Sequence, residues 1–317
     1  MNWQRLKPYL AGLGSSSIFG FSFFFTKQGL EVLDSFRLVA FRFALAAFVV
    51  SMLALLKIVP LNLWGKDLRP LLFTALLQPI LYFLFETFGV SLSTTSQAGM
   101  MIALIPIFVT IASAIFLKEK PSIGQLGFII LSVGGVMFII LQQGLGGQSR
   151  NWLGPLVLMG AVLSAAGFNI LSRRSSESYT PFQITFVMMW VGAIAFNLMA
   201  LYVHASSGNL DSYFEHLFDP RVLTALLYLG IVSSVIAFFL INYTLSQIPA
   251  SQSAVFANLT TVISIAAGVL FRNEPFYWYH ALGAVMILVG VYGTNYLGFR
   301  LQRSRQMVSD TGVVERT

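Results

Sequence analysis

The sequence predicts an all-α polytopic membrane protein, with ten transmembrane helices arranged as two inverted five-helix repeats. Three observations carry this. Hydrophobic residues make up 56% of the 317 and charged residues 10%, against about 25% charged in an ordinary soluble domain; mean hydropathy is +0.78. A soluble chain of this size could not hide so much apolar surface, and a disordered one would not be so rich in Leu, Ile, Val and Phe. The apolar residues also gather into runs of about 20, the length that crosses a hydrocarbon core. Finally, the second half of the chain repeats the first at a fixed offset.

The runs are 8–28, 35–57, 69–90, 95–117, 122–142, 152–172, 181–203, 221–243, 250–271 and 277–298. None alternates with period two, and each is too long for a barrel strand, so all are read as helices. The first follows Arg5 and Lys7, as a signal peptide would, but it continues to Thr26 without a small-x-small cleavage site, so it is read as a span. Turn and charge signals separate the runs, among them Lys118-Glu119-Lys120-Pro121 and the glycines 144, 146 and 147. Trp3, Trp64, Trp152 and Trp278 stand at run ends, where an amphipathic ring prefers the headgroup region.

Lys and Arg divide unevenly between alternate loops: 13 fall on the side of the N-terminus and tail, 5 on the other, and Arg42 lies within a span. The positive-inside bias then puts both termini in the cytoplasm, and a bacterial inner membrane is the expected location. The same distribution accounts for the net charge of +7 and pI near 9.7 without nucleic acid as a partner. With no cysteine there is no disulfide framework, thiolate metal site or thiol nucleophile. The three histidines, His204, His216 and His280, are widely spaced near loops. No metal and no cofactor is expected; the partners are a small-molecule substrate and the lipid bilayer, with oligomeric state left open.

The repeat is read at an offset of 155 residues: Ser96-Gln97 matches Ser251-Gln252, Glu119 matches Glu274, Gly135 matches Gly290 and Phe88 matches Tyr243. At the start of each half, Gly20-Phe21 matches Gly167-Phe168 and Lys27 falls on Arg174. This divides the chain into a first five-helix repeat, 1–143, a second, 144–298, and a basic tail, 299–317, expected to be disordered. Five spans per half is an odd number, so the halves cross the membrane in opposite senses. Inverted repeats of this kind build secondary transporters, with substrate near the midplane between them.

Local patterns support the same reading. They are Phe19-Gly20 with a Phe-rich turn and Lys27, the stretch Ser35-Phe36-Arg37-Leu38-Val39-Ala40-Phe41-Arg42, and Ala98 through Pro106 to Glu119, then Gly127 and Gly134-Gly135. The second half repeats them with Ala254, Glu274, Gly283 and Gly290. In these the chain resembles the ten-helix EamA-type branch of the drug/metabolite transporter superfamily, over roughly residues 8–298. It departs at Phe19, where the family usually has tryptophan, and at Thr261, which matches Pro106. The resemblance implies transport of small molecules, often export of amino acids or other metabolites. Some members import, and some exchange phosphorylated sugars or nucleotide sugars.

Ionisable side chains inside a bilayer cost at least about 2.5 kcal/mol at a helix centre and so mark functional candidates. Lys27, Arg42 and Glu86 sit at similar depth near the outer ends of the first three spans. Glu86 is also a candidate for proton coupling. Polar neutral candidates for a central cavity are Gln78, Tyr82, Gln97, Asn169, Asn242, Tyr243 and Asn258; Gln78 precedes Pro79, and proline frees backbone groups that can line a cavity. The plainer alternatives are that Lys27 snorkels to the headgroups, that Arg42 pairs with Glu86 to lock two spans together, and that the amides bond between helices. Glu119 and Glu274 read as matched anchors, capping neighbouring helices or forming gate salt bridges.

The expected function is alternating-access transport of an amino-acid-like metabolite, outward from the cell. The alternatives are import or exchange of anionic metabolites, or export of amphipathic drugs. No P-loop is present to use ATP. An intramembrane enzyme would need a clustered His/Asp/Glu or Ser/His set at membrane depth, and a channel a pore-lining ring; the sequence marks neither.

Overall fold

The structure, a computed structural model, describes residues 3–92, 104–142, 153–272 and 276–310. Among them are ten helical segments: α1 (Trp3–Leu30), α2 (Ser35–Leu55), α3 (69–91), α4 (Ile105–Leu117), α5 (Ile123–Gln142), α6 (Leu153–Ser175), α7 (Pro181–Ser206), α8 (Pro220–Gln247), α9 (Ala250–Arg272) and α10 (Trp278–Asp310). Six of these (α2 and α6 to α10) are long and apolar enough to cross a membrane, and α4 and α5 contain shorter apolar stretches. α1 is diluted by its serines, and α3 is interrupted. α10 runs to Asp310, into the segment expected to be a disordered tail, because no proline or glycine follows Gly298 before that point to stop the helix.

Helix ends follow the local chemistry. The Asp34 carboxylate accepts the N–H groups of Phe36 and Arg37 at the start of α2. Thr180 and Gln183 form a capping box at the start of α7, with Pro181 as its first residue, where a missing N–H costs nothing. Asp219 and Pro220 open α8 in the same manner. α4 stops at Lys118, in left-handed conformation (φ 56°).

The packing respects an exchange of halves. α2 lies against α7 and α5 against α10, while α1 against α9 is matched by α6 against α4, and α3 against α6 by α8 against α1. This is the two-repeat architecture of an all-α polytopic membrane protein. One buried apolar cluster joins α2, α6, α7 and α8, and a smaller one joins α5, α9 and α10. Large apolar side chains such as Phe48, Ile115 and Leu198 stand exposed on the outside, as acyl chains require of a lipid-facing belt. Gly20 lets α1 approach α9: a Cβ there would sit 2.6 Å from Ile263.

The two helices α3 and α8 both depart from regular winding. In α3, residues Leu76–Leu81 take wider turns, and Gln78, ahead of Pro79, is extended (φ −146°, ψ 117°). In α8 the wider turns run over Tyr228–Ala237. Such π-type segments break the regular ladder and recur at functional sites.

Candidate functional site

Arg42 lies one third of the way along α2 and is only 7% exposed. Its Nε donates to Ser234 Oγ at 2.7 Å and its Nη2 to Ser233 Oγ at 3.0 Å, both on the widened segment of α8. Ser233 Oγ also lies 2.9 Å from the Ser22 hydroxyl of α1. The guanidinium stands over the rings of Phe43 and Phe83, 5.6 and 5.3 Å from their centroids, a favourable placement for a cation. Gly230 keeps α8 close to α2 here; a Cβ on it would come 3.1 Å from the Arg42 carbonyl.

Tyr82 and Glu86 follow on α3; the Tyr82 hydroxyl bonds the Glu86 carboxyl, and Glu86 and Arg42 act on one another through charge. Arg42 thus interacts by charge with Glu86 of α3 and also bonds to α8. Its hydrogen bonds reach across to the other half of the molecule. The cluster brings together α1, α2, α3 and α8. Beside it a crevice of about 10 Å³, room for one water, is lined by residues that include Ser35, Phe36, Phe83 and Phe196.

The other sequence candidates are placed as follows. Gln78 holds the break in α3 described above. Lys27 lies on α1 near its C-terminal end; its side chain, like all of Gln97 and Glu274, is outside the described residues. Asn169 on α6 donates to the Ala165 carbonyl of its own helix, and its oxygen is buried without a partner among the described residues. Asn242 is fully buried and spans three helices: its Oδ1 accepts from Ser172 on α6 at 2.6 Å, and its Nδ2 donates to Thr185 on α7 at 3.0 Å. Asn258 donates from α9 to Ser132 on α5 at 3.2 Å. Those two asparagines tie helices together and lie apart from the Arg42 cluster. Tyr243, half-buried on α8, accepts at its carbonyl from Ser246.

Sequence reading missed Ser22, Ser233 and Ser234. A pair of adjacent serines inside the apolar run Gly230-Ile231-Val232-Ser233-Ser234-Val235 was the available signal. A hydroxyl at membrane depth carries little information alone, because a serine can satisfy itself on its own helix.

Glu119 sits at the opposite end of the spans. Its Oε1 accepts from Arg173 Nε at 2.9 Å and its Oε2 from the Ala250 N–H at 2.9 Å, at the start of α9. Arg173 Nη1 in turn donates to the carbonyls of Leu245 and Ser246, 3.0 Å each. The acid thus caps a neighbouring helix and forms a salt bridge at once, tying the ends of α4 and α6 to the α8–α9 turn.

Two stretches, residues 6–141 and 152–296, match the EamA-like transporter family, one in each half and together nearly the whole chain. The chain belongs to the EamA-like transporter family. It is 37% identical over 292 residues to the uncharacterized transporter YcxC of Bacillus subtilis (strain 168), covering 92% of this chain and 94% of that protein. It is 24% identical over 293 residues to a probable amino-acid metabolite efflux pump of Escherichia coli (strain K12), covering 90% and 94%. A solved crystal structure with 18% identity superposes with a TM-score of 0.76 over 93% of this chain and 98% of the other, which shows the shared fold. This EamA transporter is therefore an integral membrane protein whose family and relatives are named as transporters.

Proposed function

We propose that the protein is a secondary carrier that exports an amino-acid-like metabolite by alternating access, with substrate held between the two halves at the Arg42 cluster. The observation that carries this is the partner set of Arg42. A guanidinium buried at membrane depth has five N–H donors, and its direct hydrogen bonds go to two neutral hydroxyls contributed by the other half. A substrate carboxylate offers the planar, two-oxygen acceptor that such a fork fits best. Glu86 nearby supplies the complementary charge for a substrate ammonium and is the candidate for carrying a proton. Interrupted helices at corresponding places in two inverted halves are the usual pointer to a carrier's binding site, and α3 and α8 are interrupted where they meet this cluster. The relative named as a probable amino-acid metabolite efflux pump favours the same substrate class.

Alternating access then needs contacts that close one end at a time. The Glu119–Arg173–Ala250 knot closes the end that carries the chain termini, placed in the cytoplasm of a bacterial inner membrane by the Lys/Arg distribution. Opening that end breaks the knot.

The test is counterflow of radiolabelled amino acids in proteoliposomes. Wild type is expected to exchange at least one zwitterionic amino acid, and Glu86→Gln and Arg42→Ala to lower exchange at least tenfold while eluting as folded protein. Wild-type exchange from both variants would remove the cluster from the site. No exchange of any amino acid by wild type, with exchange of an anionic metabolite instead, would move the substrate to the other class.

A further inference from the structure

α1 and α10 both lie against α9 and meet near the chain termini through an edge-to-face ring pair, Tyr9 and Phe299, with centroids 6.2 Å apart. The three helices enclose a groove of about 520 Å³, within the size range of small-molecule sites. Its walls are apolar, with Leu13 from α1, Phe256 and Leu259 from α9, and Leu288 and Val291 from α10. Leu13, Leu288 and Tyr292 are exposed, so the groove opens sideways, where acyl chains lie in a bilayer.

One end of the groove is polar and unsatisfied. The Tyr9 hydroxyl and Asn295 Oδ1 line it and are buried without a hydrogen-bond partner among the described residues. The Asn295 amide nitrogen is already used on the Val291 carbonyl at 2.9 Å. Next to it, Gln252 Oε1 is buried and has no hydrogen-bond partner among the described residues, and the Gln252 amide lies against Gly298 of α10. Asn295 and Gln252 are 7% and 4% exposed. Buried polar atoms are normally paired, and three such atoms near one end of an open groove ask for a common partner. Two of them are amide oxygens, which only accept, so that partner must donate. At the same end the Arg300 guanidinium stands 5.6 Å from the Tyr296 ring centroid, a cation at the end of the apolar stretch Trp278–Leu301.

We infer that this groove binds one phospholipid from the leaflet on the side of the chain termini. Its acyl chain follows the apolar walls, its phosphate lies toward Arg300, and its headgroup donates hydrogen bonds to Asn295 and Gln252. Ethanolamine and glycerol headgroups carry N–H or O–H donors; choline carries none, so the site discriminates against choline. The inference does not depend on the carrier reading, and flux is not its readout.

The test uses the full-length protein purified in detergent micelles doped with phosphatidylethanolamine, phosphatidylglycerol or phosphatidylcholine of identical chains, with retained lipid counted by native mass spectrometry. One molecule is expected to stay bound, with the ethanolamine or glycerol lipid preferred at least fivefold over choline. Asn295→Leu, which keeps the side chain's bulk and removes the acceptor, should erase that preference. Leu288→Trp, which fills the groove from its exposed wall, should abolish retention. Equal retention of choline lipid by wild type, or no retained phospholipid, overturns the site. Unchanged retention by Leu288→Trp overturns its location, and an unchanged preference in Asn295→Leu overturns the headgroup assignment. If either variant elutes as aggregate, the wild-type lipid series decides alone.

Discussion

α3 and α8 hold equivalent positions in the two halves, yet they reach the same irregularity by different means and furnish it with different chemistry. Shifted by the repeat offset, the widened turns of α3 at Leu76–Leu81 fall within those of α8 at Tyr228–Ala237. In α3 a proline imposes the break, and Gln78 is extended beside it. In α8 the widened turns contain no proline, and they carry Ser233 and Ser234, which bond Arg42. The charges lie in the first half, and the two hydroxyls that accept from Arg42 lie in the second. Inverted repeats fix where a break occurs; the side chains placed on it are free to diverge, and a carrier for an asymmetric molecule needs that divergence.

The strongest way to break this comparison is to change the shape of the cation without removing it. Arg42→Lys keeps the charge but not the fork that spans Ser233 and Ser234. Losing charge-assisted hydrogen bonds worth about 1.5–3 kcal/mol predicts a fall in transport of about 10- to 100-fold, measured as counterflow. The double variant Ser233→Ala with Ser234→Ala should lose nearly as much, and combining it with Arg42→Lys should add little, since all three changes remove one contact set. Full additivity would show that the hydroxyls act independently of the arginine.

A second comparison sets the Arg42 cluster against the Glu119 knot at the other end of the spans. Glu119→Gln removes the salt bridge to Arg173 and weakens the cap on α9. In the carrier reading this favours the state open at the terminus side. The chain has no cysteine, so a single cysteine placed at Ser246 reports directly. Its labelling by a membrane-impermeant maleimide applied from that side should rise several-fold in the Glu119→Gln background. Unchanged labelling would leave the knot a static brace.

The polar knots within each region differ in a further way. Asn242 satisfies partners on two other helices, whereas Asn169 bonds to its own. Asn242→Ala takes away the acceptor of the buried Ser172 hydroxyl and leaves Thr185 bonded to the Pro181 carbonyl of its own helix; it is expected to cost about 1–3 kcal/mol, read as a lowered unfolding midpoint in detergent. Asn169→Ala should cost less in stability. A larger loss of transport than of stability in Asn169→Ala would place its unpaired oxygen on the substrate path.

Much of this was legible in the sequence. Ten runs, their odd number per half and the 155-residue offset carry the fold, because hydropathy and parity are set by composition and spacing alone. Arg42 and Glu86 stand out in the sequence because charge in lipid is costly wherever it sits, and Tyr82 because it shares a helix face with Gln78 one turn away. The hydroxyls that face Arg42 were not, since which face of α8 turns inward depends on its wider winding, and no residue in Tyr228–Ala237 announces that winding as Pro79 does in α3. Asn242 and Asn258 were grouped with the cavity because an amide in a span looks the same whether it meets substrate or another helix. Burial and partners separate the two cases, and those are tertiary facts.

The finest contrast is between the caps of α2 and α7, again equivalent helices. Asp34 caps α2 with a carboxylate; Thr180 caps α7 with a neutral hydroxyl. Burial pushes the Asp34 carboxyl up, but the N–H and guanidinium of Arg37, with the His204 ring, outweigh it and hold the carboxyl below its ordinary range. The folded state therefore binds that proton less readily than the unfolded chain does. A carboxyl lowered on folding contributes its stability above the unfolded value, near 3.9, and loses it as pH falls through the folded value. Asp34→Ala is expected to cost about 1 kcal/mol near neutrality, the usual worth of an N-cap, and the gap from wild type should close on acidification below pH 4. Thr180→Ala should cost a similar amount with no such pH dependence, because nothing in that cap titrates. Unfolding midpoints of both variants taken from pH 7 down to pH 3 separate the two behaviours. Parallel curves would mean that the Arg37 and His204 contacts leave the Asp34 carboxyl unshifted, and the difference between the caps would be one of geometry alone.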